Sequence, residues 1–156
     1  MNIGFLGLGK LGLPVSLAVE DKGHKVFGFD ISKQTIDDIK NRKIRYKEEW
    51  VDKYLPNTKL EITSIDNLVK NSEIIFVPIQ TPHDPKYEGI TRIPEKRIDF
   101  DYTYLKSGIK DLSAAIEKNG EDKVVIIIST VLPGTIRSQI KPLLGGHTKL
   151  CYNPFF

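Results

Sequence analysis

The chain has 156 residues, 40% hydrophobic and 28% charged, proportions that suit one soluble globular domain and exclude wholesale disorder. Its longest apolar run, residues 124–128, is far too short to cross a bilayer, and early glycines interrupt any signal-type segment. The net charge is only +3, and the dense basic stretch at residues 40–47 runs straight into Glu48 and Glu49 with no aromatic stacking array and no nucleic-acid motif, so a solvated helix end is expected there and no nucleic-acid partner.

Strand and helix patterns then alternate along the chain. Residues 2–7 predict a short apolar strand. Residues 10–21 have helical spacing, with Leu11, Val15, Ala18 and Val19 on one face. Pro14 falls in the first turn, where a missing N–H costs little, and Gly23 ends the helix. A second strand is predicted at residues 25–30, with Ser32 as N-cap of a helix reaching Asn41. The middle is less regular: a helix over 46–54 that stops before Pro56, a short strand at 60–63 and a short helix at 65–70. A strand over 73–78 follows, in which Ile74, Ile75, Phe76 and Val77 are continuously apolar.

Residues 80–100 contain Pro82, Pro85 and Pro94 and show no periodicity. A stretch of this length inside a compact domain is either functional or disordered. A helix over 101–118 aligns Leu105, Ile109, Leu112 and Ile116. A strand at 123–129, a helix at 135–144 and a last strand at 149–152 complete the pattern. The alternation, with several strands apolar on both faces, predicts an α/β fold: a doubly wound, mostly parallel Rossmann sheet with helices on both faces, one domain over residues 1–156. Ligands of such sheets bind beyond the carboxyl ends of the strands, which points to the loops after Leu6, Phe29, Val77 and Ser129.

The first of those loops reads Gly7-Leu8-Gly9-Lys10-Leu11-Gly12. G-x-G-x-x-G is a short pattern, but here it follows an apolar strand, opens a helix and sits in a βαβ unit. Gly7 permits the tight turn, Gly9 lets backbone approach a pyrophosphate, and Gly12 lets the helix pack on the strand. The pyrophosphate then meets free N–H groups at the positive end of the helix dipole. Asp30 ends the second strand, where a carboxylate accepts the adenosine ribose hydroxyls and repels a 2′-phosphate. NAD is therefore favoured over NADP, with nearby Lys33 softening the repulsion. The alternative role for Asp30 is to cap the helix that begins after Ser32.

Further segments resemble one family, the UDP-glucose and GDP-mannose dehydrogenases. Residues 7–14, GLGKLGLP, resemble the family's first loop, with Lys10 where an aromatic is frequent. Residues 77–82, VPIQTP, resemble its V-P-T-P-x-x loop, and residues 129–135, STVLPGT, its S-T-V-x-P-G-T turn. Tyr152-Asn153-Pro154 resembles the start of its N-P-E-F-L segment. The resemblance covers essentially the whole chain in the family's order. It implies that Thr81 and Thr130 contact NAD on its nicotinamide side, joining Gly7, Gly9, Lys10, Leu11, Gly12, Asp30 and Lys33. It also implies oxidation of the C6 alcohol of a UDP- or GDP-sugar to a carboxylate, in two NAD-dependent steps through a thiol adduct. The catalytic thiol, lysine and asparagine, and the dimer-forming helix, would lie beyond residue 156. This chain alone is then expected to bind NAD without turnover, the full-length protein to be a homodimer.

Two departures from the family stand out. Phe155 replaces the glutamate that follows N-P, and residues 83–98 form a long basic loop with Lys86, Arg92, Lys96 and Arg97. That loop either reaches a nucleotide diphosphate or is simply solvated, and His83 within it shows no partner. The lone Cys151 excludes an internal disulfide framework and fits a cytoplasmic protein; it is expected to be a buried structural cysteine in an apolar strand. Three scattered histidines and one cysteine suggest no metal site. The remaining alternatives are a β-hydroxyacid dehydrogenase of the 6-phosphogluconate dehydrogenase type, which shares the GLG start, and a non-catalytic NAD-binding module.

Overall fold

The computed structural model describes every residue except Thr91, Ile93 and Phe156. Its strands are β1 (Asn2–Leu6), β2 (Lys25–Phe29), β3 (Glu61–Ile62), β4 (Ile74–Val77), β5 (Lys123–Ile127) and β6 (Thr148–Tyr152). The helices are α1 (Gly12–Asp21), α2 (Lys33–Lys40), α3 (Glu49–Tyr54), α4 (Ile65–Asn71) and α5 (Thr103–Asn119). All strand pairings are parallel, in the order β3-β2-β1-β4-β5-β6. The chain moves outward from β1 to β3, returns to the other side of β1 with β4, and moves outward again. Loops leaving β1 and β4 therefore part company and leave a crevice above the sheet.

Two apolar layers hold the sheet. On one face Phe5 and Val26 pack with Leu13 and Leu17 of α1, Ile39 of α2 and Val51 of α3. On the other, Ile75, Val77, Val125 and Ile127 meet Leu68 of α4 and Leu105, Ile109, Leu112 and Ile116 of α5. Fully burying one such side chain contributes about 1.5–3 kcal/mol, so α5 is the best-anchored helix. The Asp101 carboxylate accepts the Thr103 N–H at its start (2.8 Å), and Gly120 ends it in the left-handed region at φ 74°. Ser32 caps α2 by accepting the Thr35 N–H at 3.2 Å.

Three details differ from the sequence reading. First, α1 begins at Gly12 rather than residue 10, because the glycine loop occupies the first positions. It buries Leu13, Ser16 and Leu17 instead of the predicted face, of which Ala18 is exposed and Leu11, Val15 and Val19 are only half-buried. Second, residues 135–144 do not form a regular α-helix. They make a π-helical turn (Ile136–Ile140) followed by a 3-10 turn (Lys141–Leu143). Pro142 explains this: it has no N–H for the next α-helical bond, and its ring crowds the carbonyl four residues back. The apolar spacing still works, since Ile140 is buried and Ile136, Leu143 and Leu144 pack around it. Third, Cys151 is exposed, not buried. It lies on the edge strand β6 in register with Ile126, on the face that α1, α2 and α3 leave bare beside exposed Val124.

Candidate functional site

The site is built from the loops that leave β1, β2, β4 and β5 at their carboxyl ends. Gly7 sits at φ 117°, and its N–H bonds to the Phe29 carbonyl at 2.8 Å, continuing the β1–β2 ladder into the turn. Leu8 then buries its side chain over Gly28, where a Cβ would come within 2.7 Å of it. Gly9 and Lys10 are exposed above. The first α1-type bond runs from Leu13 N–H to the Gly9 carbonyl at 3.0 Å. Among the described residues, the N–H groups of Gly9, Lys10, Leu11 and Gly12 have no hydrogen-bond partner. Free N–H groups at a helix N-terminus form an anion site.

Gly12 is packed against the strand exit: a Cβ there would lie 2.1 Å from the Gly7 carbonyl oxygen and 2.8 Å from Pro78 Cγ. Gly12 and Pro78 thus meet at the floor of the crevice, where the two loops begin. A Cβ at Gly9 would meet nothing within 4 Å, so the backbone is accessible at this point.

Asp30 ties the second loop to the first. Its Oδ2 accepts the Leu8 N–H at 2.7 Å, and its Oδ1 accepts the Ser32 N–H at 2.8 Å. The helix N-cap itself is Ser32, so Asp30 steadies the approach to α2 without capping it. The half-buried carboxylate keeps lone pairs toward solvent. Lys33 is exposed in the first turn of α2, and Ile31 between them is 92% exposed. Sequence reasoning did not single out Ile31. The available signal was a large apolar residue directly after the acidic strand end, where polarity should return.

Thr81 and Thr130 come together. The Thr81 hydroxyl donates to the Thr130 carbonyl at 2.6 Å, and the Thr130 hydroxyl reaches the Phe155 carbonyl at 3.4 Å. Ser129 donates to the Val77 carbonyl at 3.1 Å, binding the ends of β4 and β5. Residues 82–101 form one closed excursion, its neck fastened by Asp101 N–H to the Pro82 carbonyl at 2.8 Å. Within it lie a 3-10 turn (Pro85–Tyr87) and exposed Lys86, Arg92, Lys96 and Arg97. His83 is exposed and packs its ring near Phe100. The part of this loop at Thr91 and Ile93 lies outside the described residues.

Tyr102 is the second residue that sequence reasoning passed over. Its hydroxyl donates to Asp99 and accepts from Leu132 N–H and the Thr135 hydroxyl. Burial, then the bond to Asp99, pushes this phenol above the ordinary tyrosine value. Its partners at 132 and 135 lie too far along the chain for local spacing to show.

Elsewhere, a cavity of about 740 Å³ opens at the amino ends of the strands, bordered by Glu20, His24, Lys53, Tyr54 and Thr58. Glu20 there already accepts from the Thr58 hydroxyl and the Lys59 N–H. It faces away from the crevice and gathers no reactive set, so the carboxyl-end site is the better candidate. Among the described residues no cluster of His, Cys, Asp or Glu is arranged to hold a metal, and no helix is long and apolar enough to cross a membrane.

Residues 1–155 match the model of the UDP-glucose/GDP-mannose dehydrogenase family, NAD binding domain. GDP-mannose 6-dehydrogenase of Pseudomonas aeruginosa is 28% identical over 149 residues, covering 92% of this chain and 32% of that protein. Protein CapL of Staphylococcus aureus is 32% identical over 160 residues, covering 99% of this chain and 33% of its own length. The crystal structure of a ternary complex of GDP-mannose dehydrogenase from Pseudomonas aeruginosa superposes with a TM-score of 0.84 at 27% identity, covering all of this chain and 36% of the other. The chain thus spans about a third of the length of the curated relatives it matches.

Proposed function

This chain belongs to the UDP-glucose/GDP-mannose dehydrogenase family as its NAD-binding domain, and from that membership we propose that the whole protein oxidises the C6 alcohol of a UDP- or GDP-sugar to a carboxylate with NAD. The catalytic thiol domain and the central dimer-forming helix belong to sequence outside these residues, and the full-length protein is a cytoplasmic homodimer. NAD supplies the hydride acceptor, and the residues of this chain hold it in place. One observation carries the reading: Asp30 accepts the Leu8 N–H at 2.7 Å, which joins the ribose-side carboxylate and the glycine loop in one rigid piece.

The residues fit the cofactor. Gly9 is open to close approach, so the N–H groups of Lys10, Leu11 and Gly12 take the pyrophosphate, with Gly7 making the turn beneath. Asp30 directs its free lone pairs to the adenosine ribose hydroxyls, and Lys33 stands beside it at the first turn of α2. Thr81 and Thr130 border the nicotinamide side, where their short hydroxyls bond the cofactor without blocking hydride transfer.

Calorimetric titration of this chain with NADH beside NADPH tests the reading. Micromolar NADH affinity is expected, with NADPH weaker by roughly tenfold, which corresponds to about 1.4 kcal/mol of repulsion at Asp30. Absence of NADH binding, or tighter NADPH binding, would sink the assignment. With NAD and UDP-glucose or GDP-mannose the chain alone yields no NADH. Turnover by these 156 residues would show that catalytic groups lie within them.

A further inference from the structure

We infer that the Tyr102 hydroxyl is a positioning residue for the nicotinamide half of the site, locking the turn at residues 129–135 to the long loop at residues 82–101. The inference rests on the cofactor placement proposed above. That turn leaves β5 with no strand beside it to fix its backbone, and its Gly134 lies at φ 91°. Something else must satisfy its polar groups and set its shape. The Leu132 N–H bonds to the Tyr102 hydroxyl at 3.0 Å, and the Thr135 hydroxyl approaches the same oxygen at 3.4 Å. Thr135 itself is 4% exposed and Tyr102 5% exposed, so water does not compete freely for these groups. The phenol then donates its single proton to Asp99 Oδ1 at 2.5 Å. One donor and two acceptor directions are all that a tyrosine hydroxyl has, and all three are engaged.

The long loop touches the turn at both of its ends. Thr81, just before it, donates to the Thr130 carbonyl at 2.6 Å, while Asp99 and Tyr102, at its close, hold Leu132 and Thr135. The neck bond between Asp101 N–H and the Pro82 carbonyl keeps those two ends together. Tyr152 steadies Val131 from the other side, its hydroxyl accepting the Val131 N–H at 3.3 Å. The Tyr102 hydroxyl fixes the far half of the turn at Leu132 and Thr135, so losing it leaves the Thr81–Thr130 contact on a turn held at one end. The glycine loop and Asp30 share none of these bonds: they are fastened through Leu8, Ser32 and Phe29. Loss of the Tyr102 hydroxyl should act on one half of the cofactor and spare the other.

The test compares NADH with ADP-ribose, which carries the same adenosine and pyrophosphate but no nicotinamide, by calorimetric titration of Tyr102→Phe. The substitution keeps the buried ring and removes only the hydroxyl. NADH affinity should fall roughly tenfold, the effect of leaving a buried donor without its partner, while ADP-ribose affinity stays within about twofold. Asp99 is exposed, so a second pair of variants avoids the core: Asp99→Ala should reproduce the selective loss, and Asp99→Asn, which still accepts a hydrogen bond, should restore it. A parallel loss of both ligands, or unchanged NADH affinity in Tyr102→Phe and Asp99→Ala alike, overturns the inference while leaving the proposed function intact. If the unaltered chain binds ADP-ribose and NADH equally well, no nicotinamide contact exists to be positioned and the inference falls. If it binds neither, the proposed function falls and takes the inference with it.

Discussion

Alanine at Gly12 and, separately, at Gly9 should split two jobs that one short motif combines. In Gly12→Ala the new Cβ would stand 2.1 Å from the Gly7 carbonyl oxygen and 2.8 Å from Pro78 Cγ, where ordinary contact begins at 3.4 Å. The carbonyl shares its planar peptide unit with the Leu8 N–H, which Asp30 holds at 2.7 Å, so it cannot swing aside freely. The start of α1 must therefore lift by roughly an ångström, loosening Leu13 and Leu17, each only 1% exposed. Overpacking of this kind costs about 3 kcal/mol at the upper end of its range. Alanine's better helix propensity returns less than about 1 kcal/mol. A net loss of about 2 kcal/mol lowers the melting temperature of a domain this size by about 4–8 °C. In Gly9→Ala the Cβ meets nothing within 4 Å, and the residue is not in the left-handed region. That variant should melt within about 1 °C of the unaltered chain, yet its methyl group occupies the approach of the pyrophosphate and should weaken NADH by roughly tenfold or more. Thermal denaturation without ligand and calorimetric titration with NADH measure the two effects. An unshifted melting temperature in Gly12→Ala refutes the packing account. Unchanged NADH affinity in Gly9→Ala refutes the assignment of this loop to the cofactor.

Asp30→Ala removes the acceptor of the Leu8 N–H as well as the ribose partner, so NADH should weaken and the preference over NADPH should collapse toward equality. A retained preference in the titration would place cofactor discrimination elsewhere. The Tyr102 phenol is held above its ordinary value by burial and by Asp99, so its stabilising contribution is whole below about pH 10 and is lost as pH rises through the raised folded value. Urea midpoints of the unaltered chain should therefore fall more steeply above pH 10 than those of Tyr102→Phe; Tyr46, raised by burial and then by Glu48, keeps some slope in both. Equal slopes would show that Tyr102 does not ionise differently on folding. Cys151 is exposed on the edge strand, so one equivalent of a thiol reagent should add to the native protein at a rate near that of the unfolded chain; protection until unfolding would mean that this face is covered.

Local periodicity revealed most of the architecture because burial in a doubly wound sheet repeats along each element. Leu105, Ile109, Leu112 and Ile116 were marked by spacing alone, and all four are fully buried in α5. The same reasoning predicted a helix over residues 135–144 and missed its backbone, since apolar spacing reports only a helical repeat and Pro142 decides the hydrogen bonding. Cys151 was misplaced for a different reason. Its neighbours in sequence are apolar, yet β6 is an edge strand with one face bare, and no local pattern encodes which strand ends a sheet.

The candidate site divides along the same line. The glycine loop and Asp30 were legible because their demands are local: a turn at positive φ, a close helix–strand crossing, an acid at a strand end. What holds the other half was not, because backbone beyond the carboxyl ends of strands has left its ladder and must find partners across the fold. The Leu132 N–H finds Tyr102 thirty positions away, and the Thr81 hydroxyl finds the Thr130 carbonyl 49 positions away. Such bonds leave no spacing to recognise, for either partner can move along its own loop without disturbing any helical or strand pattern. The chain therefore displays openly the residues proposed to meet the pyrophosphate and conceals those that shape the turn beyond β5, where the loops of different members of the fold are free to diverge.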